Sequence, residues 1–133
     1  MTYALDTNII SYLLKNDETV IQRYLAENLS DNEIIIPPIV VHEILRGLLA
    51  RKMNKRLRAF HDFCQDIEIG IFNTEVWVEA SHIYANLSQL GKLIDDADLF
   101  IAAFCIVNNL TLVTANTRHF ENIEGLKFTN WKE

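Results

Sequence analysis

The chain has 133 residues, half of them hydrophobic, and its 12 Lys and Arg against 18 Asp and Glu leave a formal net charge of −6. That length and composition make one globular domain over residues 1–133 with a core of its own, and leave no room for a second. No apolar run approaches the roughly 20 residues of a membrane span, Met1 to Asp6 lacks the basic-then-apolar layout of a signal peptide, and the acidic balance excludes holding nucleic acid by global attraction alone. The expectation is a soluble cytoplasmic protein with no membrane contact.

Tyr3 to Asp6 reads as a short apolar strand, with Thr7-Asn8 as the capping pair of a helix over Ile9 to Leu14. Asp17 to Leu29 carries Val20, Ile21, Tyr24 and Leu25 at helical spacing, and Glu33 to Ile36 is a second strand. Pro37-Pro38 blocks strand continuation and immediate helix entry, so the next helix is expected over Val40 to Ala50, followed after Met53-Asn54 by another through Leu57, Phe60 and Cys64. Ile67 to Phe72 reads as a third strand. Asn73 or Thr74 then caps a long helix from Glu75 to about Leu90, with Gly91 as its natural terminator. Asp96 to Asn108 is a helix apolar around most of its circumference and so largely buried; Trp77, Tyr84 and Phe104 read as packing residues. Thr111 to Thr114 is a fourth strand, Asn116 to Phe120 a turn or short helix, and Leu126 to Thr129 an edge strand. This alternation predicts an α/β fold of three αβα layers, its mostly parallel central sheet having four or five strands. Cys64 and Cys105 lie in apolar helical contexts without metal-type spacing, so no disulfide framework is expected.

In such folds function gathers beyond the carboxyl ends of the strands. Asp6 ends the first strand, Glu43 stands on the helix after the second, and Asp98 opens the helix that feeds the fourth. No competing set of Cys or His ligands is present, and carboxylate oxygens select hard cations such as Mg²⁺ or Mn²⁺. Singly, each acid has an ordinary explanation: Asp6 as a helix cap, Asp98 as an answer to the helix dipole, Glu43 as a solvated acid. Arg46, Arg51, Lys52, Lys55, Arg56 and Arg58 form a basic stretch without a single Asp or Glu. From charge alone, this stretch is either a contact for phosphates or an acidic partner, or a solvated face of a helical hairpin.

Four blocks carry a family resemblance: Leu5-Asp6-Thr7-Asn8, Val41-His42-Glu43-Ile44-Leu45-Arg46-Gly47, Asp98-Leu99-Phe100-Ile101-Ala102-Ala103, and Leu112 through Phe120. In order and spacing they resemble the PIN-domain ribonucleases and, more narrowly, the VapC toxins of bacterial toxin-antitoxin pairs. The resemblance runs from Tyr3 to Trp131, and the closing stretch is similar to the branch that cuts initiator tRNA. It implies a Mg²⁺- or Mn²⁺-dependent endoribonuclease acting on RNA, in particular tRNA, forming a homodimer and held inactive by a VapB-like antitoxin. It also implies Asp6 and Asp98 as metal ligands, with Glu43 either bound to a metal through water or orienting the attacking water. Thr7 and Asn8 fall behind Asp6, and Thr114 and Asn116 leave the fourth strand on the same side. The pattern departs from the family where many members carry a fourth acid, since Asn116 and His119 stand there, which leaves the number of metals open. Asp96, ranked ahead of Asp95 and Glu121, is the candidate for the missing charge, and Arg46, Arg51, Lys52 and Arg56 for contact with RNA or partner. The alternative is a noncatalytic PIN-like binding module. Covalent phosphotransfer is disfavoured because Asn8 stands where a second Asp would be needed.

Overall fold

The structure is a computed structural model that describes all 133 residues. Its sheet has five strands, β1 (Thr2–Leu5), β2 (Glu33–Ile36), β3 (Glu68–Ile69), β4 (Thr111–Val113) and β5 (Lys127–Thr129), in the order β3-β2-β1-β4-β5. Every neighbouring pair is parallel, with Ala4 of β1 opposite Ile35 on one side and Leu112 on the other. The central strand is covered on both faces, so Tyr3, Ala4 and Leu5 are all buried rather than alternating. The chain first adds strands on one side of β1 and then crosses back to place β4 on the other. This reversal opens a crevice at the carboxyl ends of β1 and β4.

Six helices complete the layers: α1 (Thr7–Leu14), α2 (Glu18–Leu29), α3 (Pro38–Ala50), α4 (Asn54–Gln65), α5 (Thr74–Leu90) and α6 (Asp96–Val107). α1 packs on α2, α3 and α4, while α6 packs on α5, α3 and β4. One core of 27 buried side chains links them, to which α6 contributes Leu99 and the unbroken run Ile101 to Cys105. Capping follows the sequence signals. The Asp17 carboxylate accepts from Val20 N, the Asn73 side chain accepts from Val76 N, and Gly91 ends α5 at φ 66°, the left-handed conformation a glycine reaches without a Cβ clash. Phe104 lies in the core, whereas Trp77 and Tyr84 stay about half exposed. Both cysteines are free. No helix is long and apolar enough to cross a membrane.

Most boundaries shift by a residue or two from the sequence expectation, and three of the differences have a local cause. Pro38 is the first residue of α3, with Pro37 in extended conformation before it; the missing proline N–H costs nothing at a position where no intrahelical partner exists. The third strand covers Glu68–Ile69 rather than Ile67 to Phe72, because Phe72 leaves the sheet to stack on Phe104 at 5.7 Å and to meet Trp77 edge-on at 5.3 Å. At Gly70 an added Cβ would come within 2.1 Å of the Phe104 ring, so the close approach needs glycine. Strand β1 ends at Leu5, and Asp6 itself is the N-cap of α1.

The C-terminus is tied down from both sides. Trp131 is 1% exposed and meets Tyr3 edge-on at 5.3 Å, the Arg23 guanidinium lies over its ring, and Lys132 pairs with Asp17 while sitting 4.9 Å from the Tyr12 ring.

Candidate active site

Asp6 sits at the switch point between β1 and β4. Its N–H continues the sheet ladder to Val113 O at 2.9 Å, and its extended conformation (φ −74°, ψ 162°) aims the side chain into the crevice. Oδ1 accepts from Thr7 N at 2.7 Å, and Oδ2 accepts from Thr114 Oγ1 at 2.7 Å and from Asn8 Nδ2 at 3.2 Å. Asn8 also accepts from Ala115 N at 2.9 Å, which stitches the start of α1 to the end of β4. The Thr114 hydroxyl accepts from Asn116 N at 3.0 Å, so this fully buried threonine orients both Asp6 and the chain beyond it. Every donor to Asp6 is neutral, and the carboxylate is only 4% exposed. Burial therefore pushes its pKa up to about 6, against the hydrogen bonds from Thr114 and Thr7 and with help from the charges of Asp98 and Glu43.

Glu43 and Asp98 enter from the two sides and remain partly open to solvent. Glu43, in the second turn of α3, accepts from the Thr7 hydroxyl at 2.7 Å through Oε1, while Arg46 approaches Oε2 at 3.7 Å. Thr7 thus serves Asp6 through its backbone and Glu43 through its side chain. Asp98, in the first turn of α6, has Oδ2 at 3.0 Å from His119 Nδ1. Burial raises its pKa, His119 opposes that shift, and Glu43 and Asp95 add to it. The acids open into one cleft of about 460 Å³, whose wall also includes Ser11, Tyr12, Lys15 and Asn116.

No three Asp, Glu, His or Cys side chains converge closely enough to enclose an ion by themselves. The donor set still fits Mg²⁺ or Mn²⁺, since Mg²⁺ keeps several waters and takes one or two protein carboxylates rather than an all-protein cage. The physical reason is Asp6, a buried carboxylate with no cationic partner, whose ionised form a cation would compensate.

Asp6, Glu43 and Asp98 are thus brought to one cleft, with Thr7, Asn8, Thr114 and Asn116 around Asp6. Asp96 is exposed and does not line the cleft, whereas Asp95 does, because the residue entering the helix points toward the crevice and the next turns away. Arg46 is held by Glu43. Arg51 and Arg56 line an adjoining groove, and Lys52, in a left-handed turn at φ 54°, lies on the exposed tip of the α3–α4 hairpin and lines neither. The sequence reading missed Ser11 and Lys15, although their spacing from Thr7 at i+4 and i+8 was a usable signal that all three share a helix face.

A parallel sheet that gathers a buried Asp, a second Asp and a Glu beyond its carboxyl ends is the arrangement of a PIN domain. The chain belongs to the PIN-domain family, whose model matches residues 3–126. Its relatives place it with the VapC-type ribonuclease toxins. Ribonuclease VapC2 of Rickettsia felis is 32% identical over 132 residues, covering 98% of each chain. A tRNA(fMet)-specific endonuclease VapC of Shigella flexneri is 26% identical over the same span. Among solved structures, the Rickettsia felis VapBC2 complex bound to a promoter DNA fragment superposes with a TM-score of 0.91 at 30% identity, over 98% of this chain and 99% of that one.

Proposed function

We propose that the protein is a Mg²⁺- or Mn²⁺-dependent endoribonuclease that cuts tRNA in the cytoplasm, and that it forms a homodimer restrained by a VapB-like antitoxin. The observation that carries the metal dependence is the buried, uncompensated Asp6 facing Asp98 and Glu43 across an open cleft. Asp6 and Asp98 would hold the ion, which supplies a lower pKa for bound water and charge stabilisation at the phosphate. The chain's own residues do the rest. Thr7 fixes the Glu43 carboxylate through Oε1, and Oε2, which Arg46 only approaches at 3.7 Å, is the oxygen that orients the attacking water and takes its proton. Water adds to phosphorus as the bond to the leaving oxygen breaks, and that oxygen takes a proton from solvent. His119 fixes the Asp98 rotamer. The tRNA substrate is supported by the name of the Shigella flexneri relative, and the antitoxin by the VapBC neighbours.

The decisive experiment is cleavage of total cellular RNA by antitoxin-free protein with Mg²⁺ or Mn²⁺, with chelator, and with Asp98→Asn, mapping new RNA ends. Discrete cuts, in tRNA, that need both metal and Asp98 are expected. A folded protein that makes no cuts would instead be a noncatalytic RNA- or protein-binding module, the reading that Asn116 and His119 in place of a fourth acid favour. Sedimentation of the free protein tests the homodimer.

A further inference from the structure

Apart from Arg46, which Glu43 holds, the lysines and arginines around the acid cleft are unpaired. Among Lys and Arg, only Arg23, Arg46 and Lys132 make ion pairs, so Lys15, Arg51, Lys52, Lys55, Arg56 and Arg58 make none, in a chain of net charge −6. Three of these free cations are organised around one groove. Lys15 is the C-cap residue of α1, and Asn16 turns the chain away at once in a left-handed conformation, φ 60°. Its side chain is left at the mouth of the acid cleft. Lys15 also lines the narrow groove of about 220 Å³ between α1 and the α3–α4 hairpin, opposite Arg51 and Arg56. Thr7, Ser11, Lys15 and Glu43 wall both spaces, so the acid cleft opens directly into a cationic groove.

Helix dipoles account for part of this placement only. Lys15 and Arg51 stand at the ends of α1 and α3, where a cation is favoured. Arg56 stands in the first turn of α4, where the dipole opposes it, and it makes no ion pair, although Asp62 and Asp66 line a neighbouring hollow with it. A cation kept there against the helix dipole, beside Arg51 and facing Lys15 across a groove continuous with the acids, has the layout of a polyanion track.

We propose that Lys15, Arg51 and Arg56 hold the phosphates next to the scissile one, so that a single RNA strand runs from the acid cleft into the groove between α1 and the α3–α4 hairpin. The proposal rests on the nuclease reading above and adds a path and three positioning residues to it. Base stacking has no part in this groove, whose walls offer Leu14, Ile44, Leu48 and Met53 but no aromatic ring. The track reads backbone, and sequence choice must come from elsewhere.

The test is the salt dependence of binding to a labelled single-stranded RNA oligonucleotide in chelator, by fluorescence anisotropy, with circular dichroism to show that each variant is folded. The triple variant Lys15→Ala, Arg51→Ala, Arg56→Ala is compared with a control of equal charge change, Lys52→Ala, Arg58→Ala, Lys127→Ala. Each lost phosphate contact on a single strand lowers the slope of log K against log salt by about 0.7, so the track triple should flatten it by about 2 and the control by less than half of that. In turnover with metal, the track triple should raise KM for the oligonucleotide at least about tenfold while kcat stays within about threefold, the pattern of lost uniform binding. Equal flattening by both triples would overturn the track and leave the nuclease reading standing if wild type still cuts. The expected slopes without any cleavage by wild type would support the track and overturn the nuclease reading. A poly-glutamate peptide bound as tightly as the RNA and weakened by the same triple would assign the groove to an acidic protein partner and overturn the proposal.

Discussion

The β2–β3 edge of the sheet and its carboxyl crevice carry acids in very different settings. Along that edge, Glu33 and Glu68 stand in neighbouring strands and line a cleft of about 530 Å³, yet both are exposed and neither side chain makes a hydrogen bond or ion pair. At the carboxyl ends, Asp6 is buried with three donors on its two oxygens, and Glu43 and Asp98 each have a fixed partner. A pair of carboxylates in a hollow is therefore not what marks a site. What marks it is burial of charge that the fold orients with neutral donors but does not neutralise, a cost that stability alone would remove.

Activity should separate the two sets of acids most. Asp6→Asn, Glu43→Gln and Asp98→Asn should each lower RNA cleavage by at least about 10²-fold, the scale of losing one preorganised charge-stabilising group. Glu33→Gln and Glu68→Gln should stay within about twofold of wild type, and a comparable loss from either would erase the distinction between edge and crevice.

Stability should show the next largest difference. Asp6 has its pKa raised from 3.8 to about 6, so the folded state binds this proton more tightly than the unfolded chain does. Ionised Asp6 then destabilises the fold above pH 6 by on the order of 3 kcal/mol, and the penalty disappears as pH falls through 6 toward 4. In chelator, Asp6→Asn should melt higher than wild type at pH 8, with the gap about halved at pH 5 and closed toward pH 4. A gap that does not change with pH would show that Asp6 ionises freely. Thr114→Val keeps the shape and removes one donor to the buried carboxylate, so it should cost about 1–3 kcal/mol at pH 8 and less at pH 5. The smallest effect belongs to an exposed pair. Lys132 holds the Asp17 pKa below the ordinary carboxylate range, so its contribution is present at neutral pH and fades as pH falls through that lowered value. Lys132→Ala should give a slight fall in melting temperature at pH 7 and none once Asp17 is protonated.

The alternation of strands and helices was legible because apolar periodicity reports burial directly. The third strand was not: Ile67, Ile69 and Ile71 alternate like any half-buried strand, but whether Phe72 joins the sheet or the aromatic cluster around Phe104 depends on a tertiary contact. Pro37-Pro38 read as a barrier because the rule against proline in helices holds for interiors, and Pro38 occupies the one turn exempt from it. At the site, Asp6, Glu43 and Asp98 were legible as acids at element ends. The choice between Asp95 and Asp96 turned on a side-chain direction at a helix entry, and the His119–Asp98 contact joins residues 21 apart, beyond what local spacing encodes.

The hydrogen bond from Thr114 to Asp6 spans 108 residues, and this fixes when during synthesis the cleft can exist. Asp6 leaves the ribosome well before the strand that flanks it and before the His119 that fixes Asp98. Because β1 sits between β2 and β4, a growing chain can pair only one of its edges until residue 113 has emerged. The crevice can therefore close around Asp6 only after β4 has emerged, and a chain that stops short of β4 carries Asp6, Glu43 and Asp98 without the strand that completes the crevice.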